Sequence, residues 1–217
     1  MVAPPLGPAA PMEILLVGDG TATMSDPLAG VVPGPVAAVD MYDVAATLDA
    51  DRHAAIVITG GVDQEHLWNA RATIERSLGD GGVVMFCGHL LRPWLPGCSP
   101  FEPAPIRSMH DYDVRFVTPH PIYDGIEPAH LTSSRGVAGF FARGSHAPPP
   151  GAAVLAELAG GQPITYVDRR RDGGTVLAHA GSSLLHVGGD DTAARLGTQC
   201  AAWIRAEAQR RREDCHG

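Results

Sequence analysis

The chain has 217 residues, which suits one domain with a substantial hydrophobic core. Its formal net charge is −8, and the basic cluster Arg210-Arg211-Arg212 lies at the end, so the composition argues against a general nucleic-acid binder. No apolar run approaches the roughly 20 residues that span a bilayer. The four cysteines form no CxxC pair, which favours a reduced, cytoplasmic protein over a zinc ribbon or a disulfide framework.

The two ends of the chain differ in composition from the rest. Residues 1–11 are rich in proline and alanine and contain no Lys or Arg, so they lack the charged start of a signal peptide. We expect a disordered leader over 1–11, a single domain over 12–205, and a frayed tail over 206–217.

The first half alternates strands with helices. Strands are predicted at 13–17, 36–41, 54–59 and 82–87, with a short helical stretch at 44–48, and the loop 18–35 is long enough to be functional. A helix is predicted over 63–78, with Asp63 as N-cap and Gly79 just past its end in a left-handed cap. Its Leu67, Ala70, Ile74 and Leu78 share one face. Strand, helix and strand joined by short turns predict a doubly wound parallel sheet.

The segment 81–89 is the centre of this pattern. Its buried apolar strand is bounded by glycines and ends in Cys87, Gly88 and His89. In open α/β sheets, ligands bind beyond the carboxyl ends of the strands. Any chemistry is therefore expected around these three residues.

The second half is predicted to be less regular. Strands are expected at 112–117, 139–142, 154–158, 164–169 and 175–180, and Asp172-Gly173-Gly174 marks a hairpin turn between the last two. A final helix from about Thr192 carries apolar residues inward, namely Leu196, Cys200, Trp203 and Ile204. The fold class is α/β: a flavodoxin-like, three-layer, doubly wound, mostly parallel sheet with a late antiparallel hairpin.

Several segments resemble one superfamily. They are Ala55-Ile56-Val57-Ile58-Thr59-Gly60-Gly61, the Gly-Gly-led strand at 81–87, His120-Pro121-Ile122-Tyr123-Asp124-Gly125-Ile126 and the late hairpin. Together they resemble the class I glutamine amidotransferase-like superfamily, and within it the trehalose-utilisation (ThuA-like) branch. The likeness covers roughly residues 12–205.

The resemblance implies a catalytic cysteine and histidine and also shows departures from the family pattern. Catalytic members use a cysteine in a pattern like G-x-C-x-G and a histidine in a pattern like F-H-P-E, and Cys87 and His179 fall at these places. Met85 replaces the glycine before the cysteine, and Gly88 comes one place too early. Gly181 occupies the place of the glutamate. The chain is therefore expected to lack a full glutaminase triad.

The candidate site residues each have two interpretations. Cys87 is either a nucleophile or a small buried residue that ends a strand. His179 is the better general-base candidate, and His89 either contributes to the same pocket or caps the loop backbone. Gly88, His89, Gly60 and Gly61 are the predicted substrate-binding residues. His120, between two prolines, is interpreted as structural.

A metal site would need distant ligands. The candidates are His89, His120, His179, His186 and Asp190, which form no HxH or HExxH spacing, so no metal and no cofactor are predicted. Asp190-Asp191 is more simply explained as an N-cap pair for the last helix.

The sequence is consistent with two functions. In the first, an amidotransferase-like protein binds a small molecule or a partner protein in the cleft at the carboxyl ends of the strands. In the second, a Cys-His hydrolase or amidotransferase-like enzyme acts on a small polar amide or ester. A ThuA-like role in sugar metabolism rests on the resemblance alone. No nucleic-acid or membrane partner is expected, and a homodimer is a further expectation.

Overall fold

The computed structural model describes residues 13–18, 34–49, 52–134, 136–171, 173–185 and 191–216. The predicted leader, residues 19–33 of the predicted loop, and Asp172, His186 and Asp190 lie outside the described residues. Among the helices of the described part, none is long and apolar enough to cross a membrane.

The first half forms the predicted alternation of strands and helices. Its strands are β1 (Glu13–Gly18), β2 (Val36–Asp40), β3 (His53–Ile58) and β4 (Val83–Cys87), and its helices are α1 (Val44–Thr47) and α2 (Gln64–Gly79). β1 pairs in parallel with β2 and with β3, and β3 pairs in parallel with β4. The predicted parallel arrangement of these strands is confirmed.

The second half contains many short elements and one long helix. The strands are β5 (Glu102–Pro103), β6 (Val114–Phe116), β7 (Ser133–Ser134), β8 (Val137–Ala138), β9 (Gly144–Ser145), β10 (Ala153–Leu158), β11 (Pro163–Arg169) and β12 (Thr175–His179). The helices are α3 (Pro128–Thr132) and α4 (Leu196–His216), and four short 3₁₀ segments lie at Met41–Asp43, Met109–Tyr112, Pro121–Tyr123 and Thr192–Arg195.

One eight-stranded sheet organises these elements. Its order is β2-β1-β3-β4-β12-β11-β10-β6. β12 runs parallel to β4 on one side and antiparallel to β11 on the other, so the predicted late hairpin is confirmed. Because β12 returns beside the central strand, its carboxyl end arrives at the same edge as the end of β4.

Helices cover both faces of the sheet. On one face, Leu67, Ala70, Ile74 and Leu78 of α2 are buried against the sheet, as their helical spacing predicts. On the other face, the inward residues of α4 are buried, including the predicted Leu196, Cys200, Trp203 and Ile204. The α/β, three-layer fold class is confirmed.

The ends of α2 illustrate how local sequence sets helix boundaries. The carboxylate of Asp63 accepts hydrogen bonds from the backbone N–H groups of Glu65 and His66, so the predicted N-cap is confirmed. The predicted left-handed cap at Gly79 is wrong, since Gly79 is the last residue of the helix. The positive φ of 86° belongs to Gly81, where the chain turns into β4.

Two other sequence predictions are corrected. The strand predicted over 139–142 is irregular backbone, because Gly139 adopts a φ of 69° and turns the chain directly after the two-residue β8. A frayed tail was predicted from residue 206, but the helix α4 continues through this stretch to His216. Glu207 and Ala208 in this stretch are buried, so packing and ion pairs extend the helix.

Candidate functional site

Cys87 and His179 end two neighbouring parallel strands. They are register partners in the pairing of β4 with β12, and the N–H of Gly88 donates to the carbonyl oxygen of His179 at 2.9 Å. Residues directly opposite one another in a parallel pair lie on the same face. The structure therefore places the two predicted catalytic residues side by side, and both are 0% exposed.

Cys87 belongs to the apolar core between the sheet and α4. This core also contains Met85 and Cys200, whose sulfur atoms lie 3.6 Å apart. Burial raises the pKa of the Cys87 thiol to about 12, against a smaller opposing effect of a hydrogen bond from the Leu184 backbone. The residue is a neutral thiol at ordinary pH.

A buried hydrogen-bond chain leads to His179. The Tyr123 hydroxyl donates to Thr165 Oγ1 at 2.9 Å, and Thr165 Oγ1 lies 2.8 Å from His179 Nδ1. On the other side of the ring, His179 Nε2 lies 3.2 Å from the carbonyl oxygen of Phe141.

The chemistry of these groups assigns the protons. A carbonyl oxygen only accepts, so Nε2 carries the hydrogen and Nδ1 accepts from the Thr165 hydroxyl. Burial is the largest cause that lowers the pKa of His179, to about 3, so the imidazole is neutral. Both of its nitrogens are satisfied.

Next to this pair, a cleft of about 760 Å³ opens at the carboxyl ends of the strands. All four predicted substrate-binding residues, Gly60, Gly61, Gly88 and His89, line it. The other described residues that line it are Val62, Gln64, Leu91, Gly139, Phe140, Phe141, Ala142, Arg143, Gly181 and Ser182. Cys87 and His179 are not among them, so a layer of backbone separates the two side chains from the cleft.

Two glycines let backbone segments meet at this layer. Gly88 has a φ of 145°, and a Cβ atom there would come within 3.0 Å of Gly60 Cα, so the ends of β3 and β4 approach closely. A Cβ atom on Gly181 would overlap the carbonyl oxygen of Phe141. The segment 139–143 therefore packs directly against Gly181.

His89 forms part of the wall of the cleft. Its ring stacks on Phe101, with centroids 3.7 Å apart and planes 16° from parallel, and its carbonyl oxygen accepts from Gln64 Nε2 at 2.7 Å. Burial, followed by the neighbouring His146 and the positive charge of Arg143, lowers the pKa of His89. The ring is therefore neutral near pH 7.

The sequence predictions named neither Arg143, which lines the cleft, nor His146, which contacts the Gly88 carbonyl oxygen. Arg143 Nε donates to the carbonyl oxygen of Gly139 at 2.9 Å. The ring nitrogens of His146 lie 2.9 Å from the carbonyl oxygen of Gly88 and 3.0 Å from that of Ser99. One signal in the sequence could have indicated Arg143. Gly139 and Gly144 flank residues 140–143, and such a pair of glycines is more typical of a loop than of a strand.

Known proteins resemble this chain in structure rather than in sequence. No protein-family profile and no curated protein sequence matches the chain. A protein from Thermoplasma acidophilum, described as a proposed GMP synthase subunit, has a similar structure, with a TM-score of 0.60 at 14% identity, over 95% of this chain and 98% of that one. A proposed ThuA-like protein from Bacteroides uniformis is similar with a TM-score of 0.52 at 14% identity, over 94% of this chain and 95% of that one.

The chain has the class I glutamine amidotransferase-like fold. The resemblance predicted from the sequence is thus confirmed for the fold. The likeness extends over nearly the whole of each chain.

Of the candidate metal ligands in this amidotransferase-like fold, the structure describes His89, His120 and His179. No group of three or more His, Cys, Asp or Glu side chains among the described residues is arranged to hold a metal ion. His120 accepts a hydrogen bond from the Ile122 backbone at 3.4 Å and packs edge-on against Trp203, which supports its structural interpretation. Asp191 caps the 3₁₀ segment before α4 by accepting from the Ala193 backbone at 2.9 Å.

Proposed function

We propose that this amidotransferase-like protein lacks glutaminase activity and binds a small molecule, or a segment of a partner protein, in the cleft beside Gly60 and Gly88. One observation carries the proposal: Cys87 and His179 are both fully buried, and both ring nitrogens of His179 are already hydrogen-bonded. A nucleophile and its base must instead reach the substrate.

The thiol of Cys87 is poorly prepared for attack. The thiolate is the reactive form of a cysteine, and catalytic cysteines have pKa values well below the ordinary value. Because burial raises its pKa to about 12, Cys87 is almost entirely the neutral thiol at pH 7. No basic side chain contributes to the shift, and the hydrogen bond from the Leu184 backbone offsets only the smaller part of this penalty.

The imidazole of His179 is equally constrained. A general base needs a free lone pair directed at the proton it removes, and the lone pair on Nδ1 accepts from Thr165. Nε2 has its hydrogen directed at the Phe141 carbonyl. To serve Cys87, His179 would have to give up one of two buried hydrogen bonds, which costs roughly 1–3 kcal/mol.

Gly181 supports the same proposal. In catalytic members of the superfamily that the sequence resembles, a glutamate two residues after the histidine completes the triad. Here the Phe141 carbonyl packs against the glycine at that place and accepts the His179 hydrogen bond instead. An acidic side chain at position 181 would need the segment 139–143 to move away.

The cleft itself is suited to a small ligand. Its volume of about 760 Å³ is within the ordinary range of small-molecule sites, and it combines aromatic surface with a few polar groups. The glycines at 60, 61, 88 and 139 expose backbone in its wall, so a ligand can approach main-chain groups closely.

One observation favours the alternative, a Cys-His hydrolase or amidotransferase-like enzyme that acts on a small polar amide or ester. Cys87 and His179 are adjacent register partners at the edge where ligands bind in α/β sheets. A rearrangement of the segment 139–143 would be needed to expose them.

Alkylation with iodoacetamide distinguishes the two functions. In the native protein at neutral pH we expect Cys87 to react far more slowly than in the urea-unfolded protein, because it is buried and its pKa is raised. Mass-spectrometric peptide mapping assigns the reaction to each cysteine. Rapid native labelling of Cys87 that slows in His179→Ala would contradict the proposal and favour the hydrolase.

Substitutions at Cys87 provide an independent test on stability. Cys87→Ser should lower the free energy of unfolding by roughly 1–3 kcal/mol, because it buries a hydroxyl among apolar neighbours. Cys87→Ala should cost less, since it leaves only a small cavity. Thermal melts of both variants measure this. Melting temperatures at or above that of the wild type for both would mark Cys87 as a strained functional position.

A further inference from the structure

The cleft differs in charge from the rest of the chain. The protein has 24 acidic and 16 basic residues, yet no Asp or Glu is found among the described residues that line the cleft. The ionisable side chains of that lining are those of His89 and Arg143. A cavity without carboxylates in an acidic protein favours a negatively charged occupant.

Arg143 is held in place without a carboxylate. Its side chain is exposed and makes no ion pair within the described part of the chain, but its Nε donates to the Gly139 carbonyl oxygen at 2.9 Å. That bond restrains the guanidinium and leaves the two terminal nitrogens for another group. Two terminal N–H groups match the two oxygens of a carboxylate or a phosphate in a bidentate pair.

Arg92, just outside the cleft, is different. It forms an ion pair with Glu65, with an Nε-to-Oε2 distance of 2.7 Å, so its charge is already neutralised. Arg92 follows the lining residue Leu91 but does not itself line the cleft, whereas Arg143 lines it and has no acidic partner among the described residues there. This contrast makes Arg92 a matched control.

His89 provides a second polar group close to Arg143. The positive charge of Arg143 contributes to the lowered pKa of His89, and stacking on Phe101 orients the His89 ring. A neutral imidazole donates one hydrogen bond without adding a positive charge. An anion at Arg143 would therefore lie near a donor whose orientation is already fixed.

We propose that the cleft takes an anionic small molecule and that the terminal nitrogens of Arg143 bind its carboxylate or phosphate group. This assignment rests on the proposed binding function, which it deepens by naming the chemical class of the ligand and the residue that selects it. Arg143 was not a predicted site residue, and the anion requirement comes from the charge and the geometry of the cleft.

The test uses NMR titrations of the full chain with inorganic phosphate, succinate and the neutral diamide of succinate. We expect phosphate or succinate to shift the backbone amide signals of Gly60, Gly61 and Gly139, and the diamide to bind at least about tenfold more weakly. The better of the two anions identifies the group: phosphate assigns a phosphorylated ligand, and succinate a carboxylic acid.

Two variants separate the role of Arg143 from general charge. Arg143→Gln keeps a hydrogen-bond donor for the Gly139 carbonyl but removes the charge, so the anion should bind about tenfold more weakly. Arg92→Gln removes the same charge from the paired arginine and should change the affinity less than about twofold. Unchanged anion binding in Arg143→Gln overturns the inference, as does an equal loss in both variants.

The outcomes also separate this inference from the binding function on which it rests. If the neutral diamide shifts the cleft glycines as strongly as succinate, the anion assignment is wrong while a binding cleft stands. If no anion shifts them, the anion assignment is wrong. If anions bind through Arg143 but native Cys87 is alkylated rapidly, the anion assignment stands and the non-catalytic function fails.

Discussion

Replacing Thr165 with valine is expected to lower the free energy of unfolding by about 3 kcal/mol, a large effect for a change that conserves volume. The Thr165 hydroxyl accepts from Tyr123 and donates to His179 Nδ1, and all three side chains are at most 5% exposed. Valine leaves a buried hydroxyl and a buried ring nitrogen without partners, at roughly 1–3 kcal/mol each. Urea unfolding followed by circular dichroism measures the loss.

A double-mutant cycle tests whether Tyr123 and Thr165 are linked by the assigned hydrogen bond. Tyr123→Phe removes the first donor and should cost about 1 kcal/mol. Combined with Thr165→Val it should cost less than the sum of the single changes, because valine then leaves no tyrosine hydroxyl unpaired. Strictly additive losses would mean that Tyr123 and Thr165 act independently and that the hydrogen bond between them does not contribute to stability.

The fold could be predicted because its signals are local. The apolar strands β1, β3 and β4 and the one-sided helix α2 each show their period within a short window, and short turns between them allow few topologies. The glycine-rich turn before β12 was sufficient to predict the hairpin. The hairpin then delivered His179 to the position opposite Cys87.

The hydrogen bonds of His179 could not be predicted because they depend on contacts between residues that are distant in the sequence. Tyr123 and Thr165 are 42 positions apart, and Phe141 and His179 are 38 apart. The motif around His179 predicts a base. The structure adds that this histidine is buried and that both of its ring nitrogens are hydrogen-bonded, one of them to the Phe141 carbonyl oxygen.

The segment 139–143 shows how an apolar pattern can mislead. Phe140, Phe141 and Ala142 suggested a strand, but the glycine at 139 turns the chain and Phe141 packs edge-on against its neighbour Phe140. Phe141 and Ala142 are buried because this segment packs over the end of the sheet, where Ala142 forms an isolated β-bridge with Gly181. Arg143 enters the cleft because of that closure.

Replacing Glu207 with glutamine is expected to lower the free energy of unfolding by about 3 kcal/mol at neutral pH. The Glu207 carboxylate is 3% exposed and accepts from Arg169 at 2.9 Å, from Arg210 at 2.6 Å and from Thr175 at 2.7 Å. Breaking a buried ion pair costs roughly 3–5 kcal/mol, and the lower end applies because Arg169 and Arg210 are nearly half exposed and can regain water.

The pH dependence of stability checks the same group. Burial by itself would raise the pKa of Glu207, but the hydrogen bonds from Arg210, Arg169 and Thr175 outweigh it and lower the pKa from 4.5 to about 2. A lowered pKa in the folded state means that the stabilisation is complete above pH 4.5 and is lost as the pH falls toward 2. The wild type should therefore lose more stability over this range than Glu207→Gln.

Glu213→Gln is the matched control, since it makes the same change on the same helix at an exposed carboxylate. Glu213 accepts one hydrogen bond from Gln209 at 3.2 Å, so its loss should change the free energy of unfolding by less than about 0.5 kcal/mol. Equal losses in the two variants would mean that helix charge, and not the buried cluster around Glu207, accounts for the effect. The stability curves of wild type and Glu207→Gln should converge at acid pH, because the protonated wild-type carboxyl and the amide are both neutral.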